Sequence, residues 1–400
     1  VTLVSILTRS IIEATTVAEE LLSQSREADF CGYDPFDGLN SETFERLGVG
    51  RFPLARIAWL QLHKRSPVNV RRIVGVPKRR NPKGIALFIL GLIERQHYLD
   101  SDGELSEAVA LGDWLLGERV DRGVWKHSAW GYHFDWAARA FHVPRGKPNA
   151  ITTCYVARAL YGLGQATGIQ RFTDAAIDAG FFLDDLYVRA SDVKYYAYIP
   201  GESAFVHNAS LWSAALVAET AVRKSDERLR EHALSVARQS ASMQRADGAW
   251  VYGTRSHHAF IDGFHTGYNL EALDSLQRTL EIREFDETIE RGMDYYRRHF
   301  FLVDGTVKYF HDCVWPLDTH SVAQAVVTLV KVGSSEADLV LATDVLSRAY
   351  SSLYLPEGKR FVYQKGRWLT NRINYLRWTQ AWAFYALSLY GARASGQLGK

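Results

Sequence analysis

Six stretches of this 400-residue chain repeat one pattern, and that repetition limits the possible folds more than any other feature. Each begins with a short polar or aromatic entry and continues as a helical apolar run containing small residues. They are "PKGIALFILGLIE" from Pro82, "NAITTCYVARALYGLG" from Asn149, "HNASLWSAALVAETA" from His207, "HTGYNLEALDSLQ" from His265, "DTHSVAQAVVTLVK" from Asp318 and "LRWTQAWAFYALSLYG" from Leu376. With Gly84, Ala150, His207, His265, Asp318 and Leu376 as markers, the steps are 66, 57, 58, 53 and 58 residues. Such regularity marks an array of one supersecondary unit that cannot bury its apolar face alone.

A second, more charged helical pattern follows each of the first five. These begin at Glu104, Arg171, Asp226, Arg283 and Glu336. Their apolar residues recur at three- and four-residue steps, as in surface helices. The sixth partner is assigned to the N-terminal "TLVSILTRSIIEATTVAEELL", which closes a ring. A weaker repeat, Gly followed by an aromatic strand-like stub, occurs at Gly123, Gly248, Gly305 and Gly358, with a degenerate copy at Asp192. These stubs sit in long connections, and long connections are uncommon unless functional. All of them fall on one end of the hairpins.

Together these features resemble the (α/α)6 toroid, or six-hairpin architecture, of many carbohydrate-active enzymes. The expected fold is all-α, one closed double ring over residues 1–400, with short β stubs in the long loops. More narrowly, "DGAWVYG…FIDGFHTGYNLEAL" and "DGTVKYFHDCVWPLDTHSVAQAV" resemble uncharacterised six-hairpin proteins encoded with exopolysaccharide and capsule synthesis. That resemblance implies polysaccharide biosynthesis and contact with the synthesis machinery. Terpene cyclases, another toroid family, share "QRADGAW", but it occurs once convincingly and no Asp-x-Asp-Asp acid is present. Lanthionine cyclases need a Cys and Cys-His zinc set that His311, Asp312 and Cys313 do not supply.

Composition removes several other classes. A net charge of +2 gives no global field for nucleic acid. Three scattered cysteines, Cys31, Cys154 and Cys313, argue against a disulfide framework. No run of about 18 apolar residues marks a membrane span, and the first residues read as a helix rather than a signal peptide, so a cytoplasmic location is expected.

Inner helices of such a ring point their N-termini at the long-loop face. There the unsatisfied N–H groups and dipoles favour an anionic ligand such as a uronate. Asn149, Asn208 and Asp318 suit helix capping equally well. His207, His265 and His320 are poorer caps and lean toward the pit. The expected catalytic set is His258, Asp262, His265, Tyr268, Tyr309, His311, Asp318 and His320. The expected sugar-binding set is Trp125, Trp130, Tyr195, His207, Asn208, Trp250, Tyr252, Trp315, Asn371, Arg372, Arg377 and Trp378. No metal or other cofactor is assigned, although His257, His258, Asp262 and His265 keep a metal conceivable.

Two chemistries compete for these residues. Glycoside hydrolysis needs two carboxyl groups across the scissile bond; Asp262 and Asp318 are the best pair, Asp135 and Glu202 the reserves. Epimerases and lyases abstract the proton beside a uronate carboxyl, which needs a base, an acid and a cation for the developing dianion. The loops carry more His and Tyr than Asp and Glu, which favours the second chemistry on an acidic glycan. A glycan-binding role without catalysis is the third reading. Residues 26–83 form a long connection with a basic second half, expected to fold over the mouth of the pit.

Overall fold

The computed structural model describes residues 3–99, 102–137, 142–333 and 335–398. Helix α1 (Leu3–Glu27) is followed by the short α2 (Glu42–Leu47) and by α3 (Pro53–Arg65). Five hairpins come next: α4 (Pro82–Gln96) with α5 (Asp102–Gly117), α6 (Ala150–Thr167) with α7 (Gln170–Asp184), α8 (His207–Lys224) with α9 (Glu227–Ser242), α10 (Gly263–Thr279) with α11 (Asp286–Phe300), and α12 (Thr319–Lys331) with α13 (Glu336–Leu353). A π-helical turn, Leu376–Gln380, then runs into α14 (Ala381–Leu398).

The even-numbered helices from α4 to α14 form the inner ring, each packed on the next, and α14 closes it against α4. Phe88 of α4 and Phe384 of α14 meet there with ring centroids 5.3 Å apart. Helix α1 packs on α14 as the sixth outer helix, where the Tyr390 hydroxyl donates to Ser10 Oγ at 2.9 Å. The fold is therefore the expected all-α toroid.

Burial separates the two rings as the patterns require. Every residue of α12 from Thr319 to Val330 is buried. In α11 burial is confined to Ile289, Gly292, Met293, Tyr295, Tyr296 and Phe300, one stripe at three- and four-residue steps. Side-chain caps fix where several inner helices start. Asn81 accepts from the Lys83 and Gly84 N–H groups, Asn149 from Thr152, Asp262 from His265 and Asp318 from Ser321.

The stubs correct the expectation in detail. The copy at Asp192, read as degenerate, makes the longest hairpin, Tyr187–Ala190 paired with Val193–Tyr196. The stubs at Gly123, Gly248 and Gly305 form no strand. Gly248 and Gly305 adopt φ of 95° and 78°. A Cβ there would lie 2.3 Å from Arg291 O and 2.5 Å from Asp344 O respectively, so glycine is required at both.

Residues 28–81 also differ from a plain loop. Helices α2 and α3 and two 3-10 turns fold this segment around a small cluster of Leu39, Phe44 and Leu60. Arg71 and Asp37 form a buried pair at 2.6 Å inside it. Burial pushes the Asp37 carboxyl up to about 7 despite the Arg71 charge.

Candidate active site

The second residue of each inner element faces a common cavity at the N-terminal end of the ring. These six are Lys83, Ile151, Asn208, Phe264, His320 and Arg377, the last from the π-helical turn. A regular closed ring repeats one orientation at equivalent positions, so the residue just inside each helix start looks inward. The cavity has a volume of about 390 Å³. The long loops add Tyr132, Phe134, Trp136, Tyr198, Tyr252, Phe260, Asp262, Tyr309 and Phe310. Segment 28–81 adds Phe36, Leu60, Gln61 and Lys64.

Two imidazoles stand in different environments within it. Asp262 caps α10 with Oδ1, which accepts from the His265 N–H at 2.9 Å, while its Oδ2 accepts from His265 Nδ1–H at 2.7 Å. This arrangement fixes the tautomer and leaves Nε2 as the free basic nitrogen. The ring is held 4.2 Å from Phe264 and 4.4 Å from Tyr252, centroid to centroid. His320 is fully buried between Phe264 and Trp382, stacked at 4.9 and 4.7 Å. Its Nε2 is hydrogen-bonded to the Tyr268 hydroxyl at 2.5 Å, and its Nδ1 has no partner. Burial, then the charges of Lys83, Arg377 and His265, hold His320 well below the ordinary imidazole range, so it is neutral.

The cations are equally unusual. Lys83 Nζ lies over the rings of Tyr155 (4.1 Å), Trp382 (5.3 Å) and Tyr268 (5.4 Å). No carboxylate pairs with it among the described residues. Burial, reinforced by Arg377 and Arg158, depresses it well below a normal lysine. Arg377 makes a bidentate pair with Asp34 of segment 28–81, Nε at 2.5 Å and Nη2 at 2.8 Å. Burial opposes the Arg377 charge, but Asp34 outweighs it and raises the guanidinium above its ordinary value. Lys64 packs over Phe36 at 4.7 Å; burial lowers it, against the pull of Asp318.

Nine of the residues expected at the site line the cavity: Asn208, Tyr252, Asp262, His265, Tyr268, Tyr309, His320, Arg377 and Trp378. The others do not. Trp130 and Trp250 are buried, donating Nε1–H to Leu115 O at 2.7 Å and Ser240 O at 2.9 Å, so each plugs the end of an outer helix. Trp125 packs edge-on against Phe182, and Tyr195 stacks on Phe205 with its hydroxyl donating to Ser203 O. His207, first in α8 rather than second, turns away to Ser240. Burial lowers it to about 4. His258 sits behind Tyr252, and burial first, then His257, Arg255 and His265, lower it to about 4.

Asp318 is a buried cap held by the Ser321 N–H and Gln364 Nε2, outside the cavity. Burial raises it to about 6. His311 contacts Ile261 O, and Trp315 is exposed. Asn371 ties its loop to Ser66 O, and Arg372 is exposed. Among the described residues no three His, Cys, Asp or Glu side chains group as a metal set. No helix among them is long and apolar enough to cross a membrane.

Sequence reasoning named Lys64 and Lys83 only among the ten basic residues of the segment expected over the mouth, and it missed most of the loop rings. Lys83 was within reach: it occupies the repeat position of Asn208, His320 and Arg377. Nothing singled Lys64 out from the other basic residues, and Phe36 carried no signal, because their segment lies outside the repeat.

The ring, its N-terminal pit and its long-loop rim define the six-hairpin toroid class. Solved structures of that class superpose on this chain at low identity. An unsaturated glucuronyl hydrolase specific for heparin matches with a TM-score of 0.65 and 11% identity over 97% of this chain and 98% of that one. A cellobiose 2-epimerase from Bacillus thermoamylovorans gives 0.60 and 10% over 78% and 87%. A GH76 α-mannanase from Bacteroides thetaiotaomicron gives 0.60 and 11% over 79% and 87%. No family model matches the sequence, and no curated protein does.

Proposed function

We propose that this protein is a carbohydrate-modifying enzyme that abstracts a proton beside the carboxyl of an acidic sugar. One observation carries the reading. The cavity offers an imidazole whose Nε2 is freed by a carboxylate on Nδ1, together with Lys83 and Arg377, while the one lining carboxylate among the described residues, Asp262, is occupied in holding that imidazole. In this mechanism His265 Nε2 removes the proton at C5 of a uronate. Lys83 and Arg377 stabilise the charge that develops on the carboxylate, which is the costly part of such a reaction. Returning a proton to the other face, from the Tyr268–His320 pair, gives the C5 epimer. Expelling the substituent at C4 gives an unsaturated uronate instead.

The toroid relatives named above are carbohydrate enzymes by name, which supports a sugar ligand. Hydrolysis through Asp262 and Asp318 is the weaker reading, because Asp318 lies outside the cavity and two carboxyl groups must flank the bond. The resemblance to polysaccharide-cluster proteins makes exopolysaccharide or capsule assembly in the cytoplasm the proposed setting.

Incubation with a panel of acidic glycans in deuterated water tests the chemistry. Deuterium at C5 without cleavage is the epimerase outcome, and the absorbance of a conjugated uronate is the lyase outcome. New reducing ends without either would establish hydrolysis, and binding with no change would establish a lectin-like role; both would overturn the proposal.

A further inference from the structure

Segment 28–81 bridges the mouth of the ring. At one side, Phe36 meets Trp378 at 5.3 Å, Asp34 pairs with Arg377, and Asn371 Nδ2 donates to Ser66 O at 3.2 Å. At the other side, Phe36 meets Trp136 at 6.2 Å, Asn40 Oδ1 accepts from the Asp135 N–H at 3.3 Å, and Glu45 pairs with Arg145. Phe36, Leu60, Gln61 and Lys64 thus enter the cavity from a span anchored at both ends. The remaining rim is held by Phe260 and Phe310, which line the cavity, lie 6.1 Å apart and are at least part-exposed.

A groove that reads the interior of a polymer must be open at both ends so that chain can leave in two directions. A bridge across the mouth removes one of them. The cavity's volume of about 390 Å³ lies near the low end of the roughly 300–1,000 Å³ typical of small-molecule sites. Lys64 adds a second requirement. Its ammonium is partly desolvated over Phe36, in the field of Asp318, and forms no ion pair among the described residues. With Lys83 in the wall below, it gives the cavity two lysine amines without an ion-paired carboxylate. An anionic ligand group is the natural partner for such desolvated amines.

We infer that the bridge makes this an end-reading site: it takes the terminal acidic residue of a glycan, or a free acidic mono- or disaccharide, and excludes internal residues. Lys64 reads the acidic group from the bridge, and the rest of the chain leaves over Phe260 and Phe310. This rests on the sugar ligand proposed above and goes beyond it in naming which residue of the glycan enters.

Saturation-transfer NMR on the full chain tests it, with linear oligomers of glucuronate, galacturonate and mannuronate from disaccharide to hexasaccharide. A carboxylated cyclic oligosaccharide, which has no end, serves as the counter-probe. Transfer should concentrate on one terminal ring, affinity should stop rising beyond the disaccharide or trisaccharide, and the cyclic probe should not bind. Lys64→Gln should weaken acidic ligands roughly tenfold or more while leaving the matched neutral oligomers unchanged. Transfer spread evenly over internal rings, binding of the cyclic probe, or no binding by any oligomer would each overturn the inference. So would an unchanged acid preference in Lys64→Gln. Following deuterium in the same samples separates the two claims. Terminal binding without exchange sinks the proposed chemistry and leaves end-reading standing; exchange at internal rings does the reverse.

Discussion

Asp34→Asn should release the bridge from the ring. In the native protein Asp34 and Arg377 are 2% and 3% exposed, and the carboxylate takes both Arg377 Nε and Nη2. The substitution leaves a guanidinium buried without its countercharge. Breaking a buried pair from one side costs about 3–5 kcal/mol, because the desolvation of the remaining ion is no longer offset. Burial this complete leaves little screening by water, so no large discount applies. The loss falls first on the bridge, since Arg377 is also anchored by α14 whereas Asp34 sits at the start of the spanning segment. Hydrogen exchange followed by mass spectrometry would read it. Amides of residues 28–81 should exchange on the order of 10²–10⁴-fold faster, with α6 and α8 little changed. The pair variant Asp34→Leu with Arg377→Met, apolar on both sides, should restore most of the protection. An increase below about tenfold, or a pair variant as labile as Asp34→Asn, would refute the claim that charge compensation holds the bridge.

Asp262→Asn keeps a good helix cap but loses the charge that orients His265; turnover on a responsive glycan should fall by roughly 10²-fold or more, while stability changes by less than about 1 kcal/mol in urea titration. Asp318→Asn should retain most activity, because the residue lies outside the cavity. It should also alter pH dependence with a defined sign. Burial raises the Asp318 carboxyl to about 6 in the folded chain, so its contribution is fully present below the unfolded value of about 3.9 and is lost as pH rises through about 6. Relative to the native chain, Asp318→Asn should therefore gain stability across that window, by on the order of 2–3 kcal/mol at neutral pH; a flat difference across pH would contradict the assignment. Trp250→Ala should destabilise by about 3–5 kcal/mol through cavity formation and the loss of its bond to Ser240 O, yet leave glycan affinity of the folded fraction unchanged by calorimetry.

Most of the architecture is legible in the sequence. The marked helices begin within two residues of the observed Pro82, Ala150, His207, Gly263, Thr319 and Leu376. Helical periodicity is local, and side chains at Asn149, Asp262 and Asp318 write the helix starts directly into the chain. The site was legible where it coincides with that register, at Asn208, His265, His320 and Arg377. It was illegible where aromatic rings sit in connections, because a tryptophan's pattern does not say whether its ring faces a ligand or a neighbouring helix.

What the amino-acid order determined alone was therefore the count of hairpins, their period and the helix ends that converge on one face, since propensity, capping and amphipathicity act over a few residues. Tertiary structure alone decided that Trp130 and Trp250 plug helix ends, that Asp318 caps its helix outside the cavity, and that Lys64 and Phe36 are among the side chains of the mouth-covering segment that reach the cavity. Those outcomes depend on which surfaces meet after the ring closes, and contacts such as Asp34 with Arg377, 343 positions apart, leave no local trace in the chain.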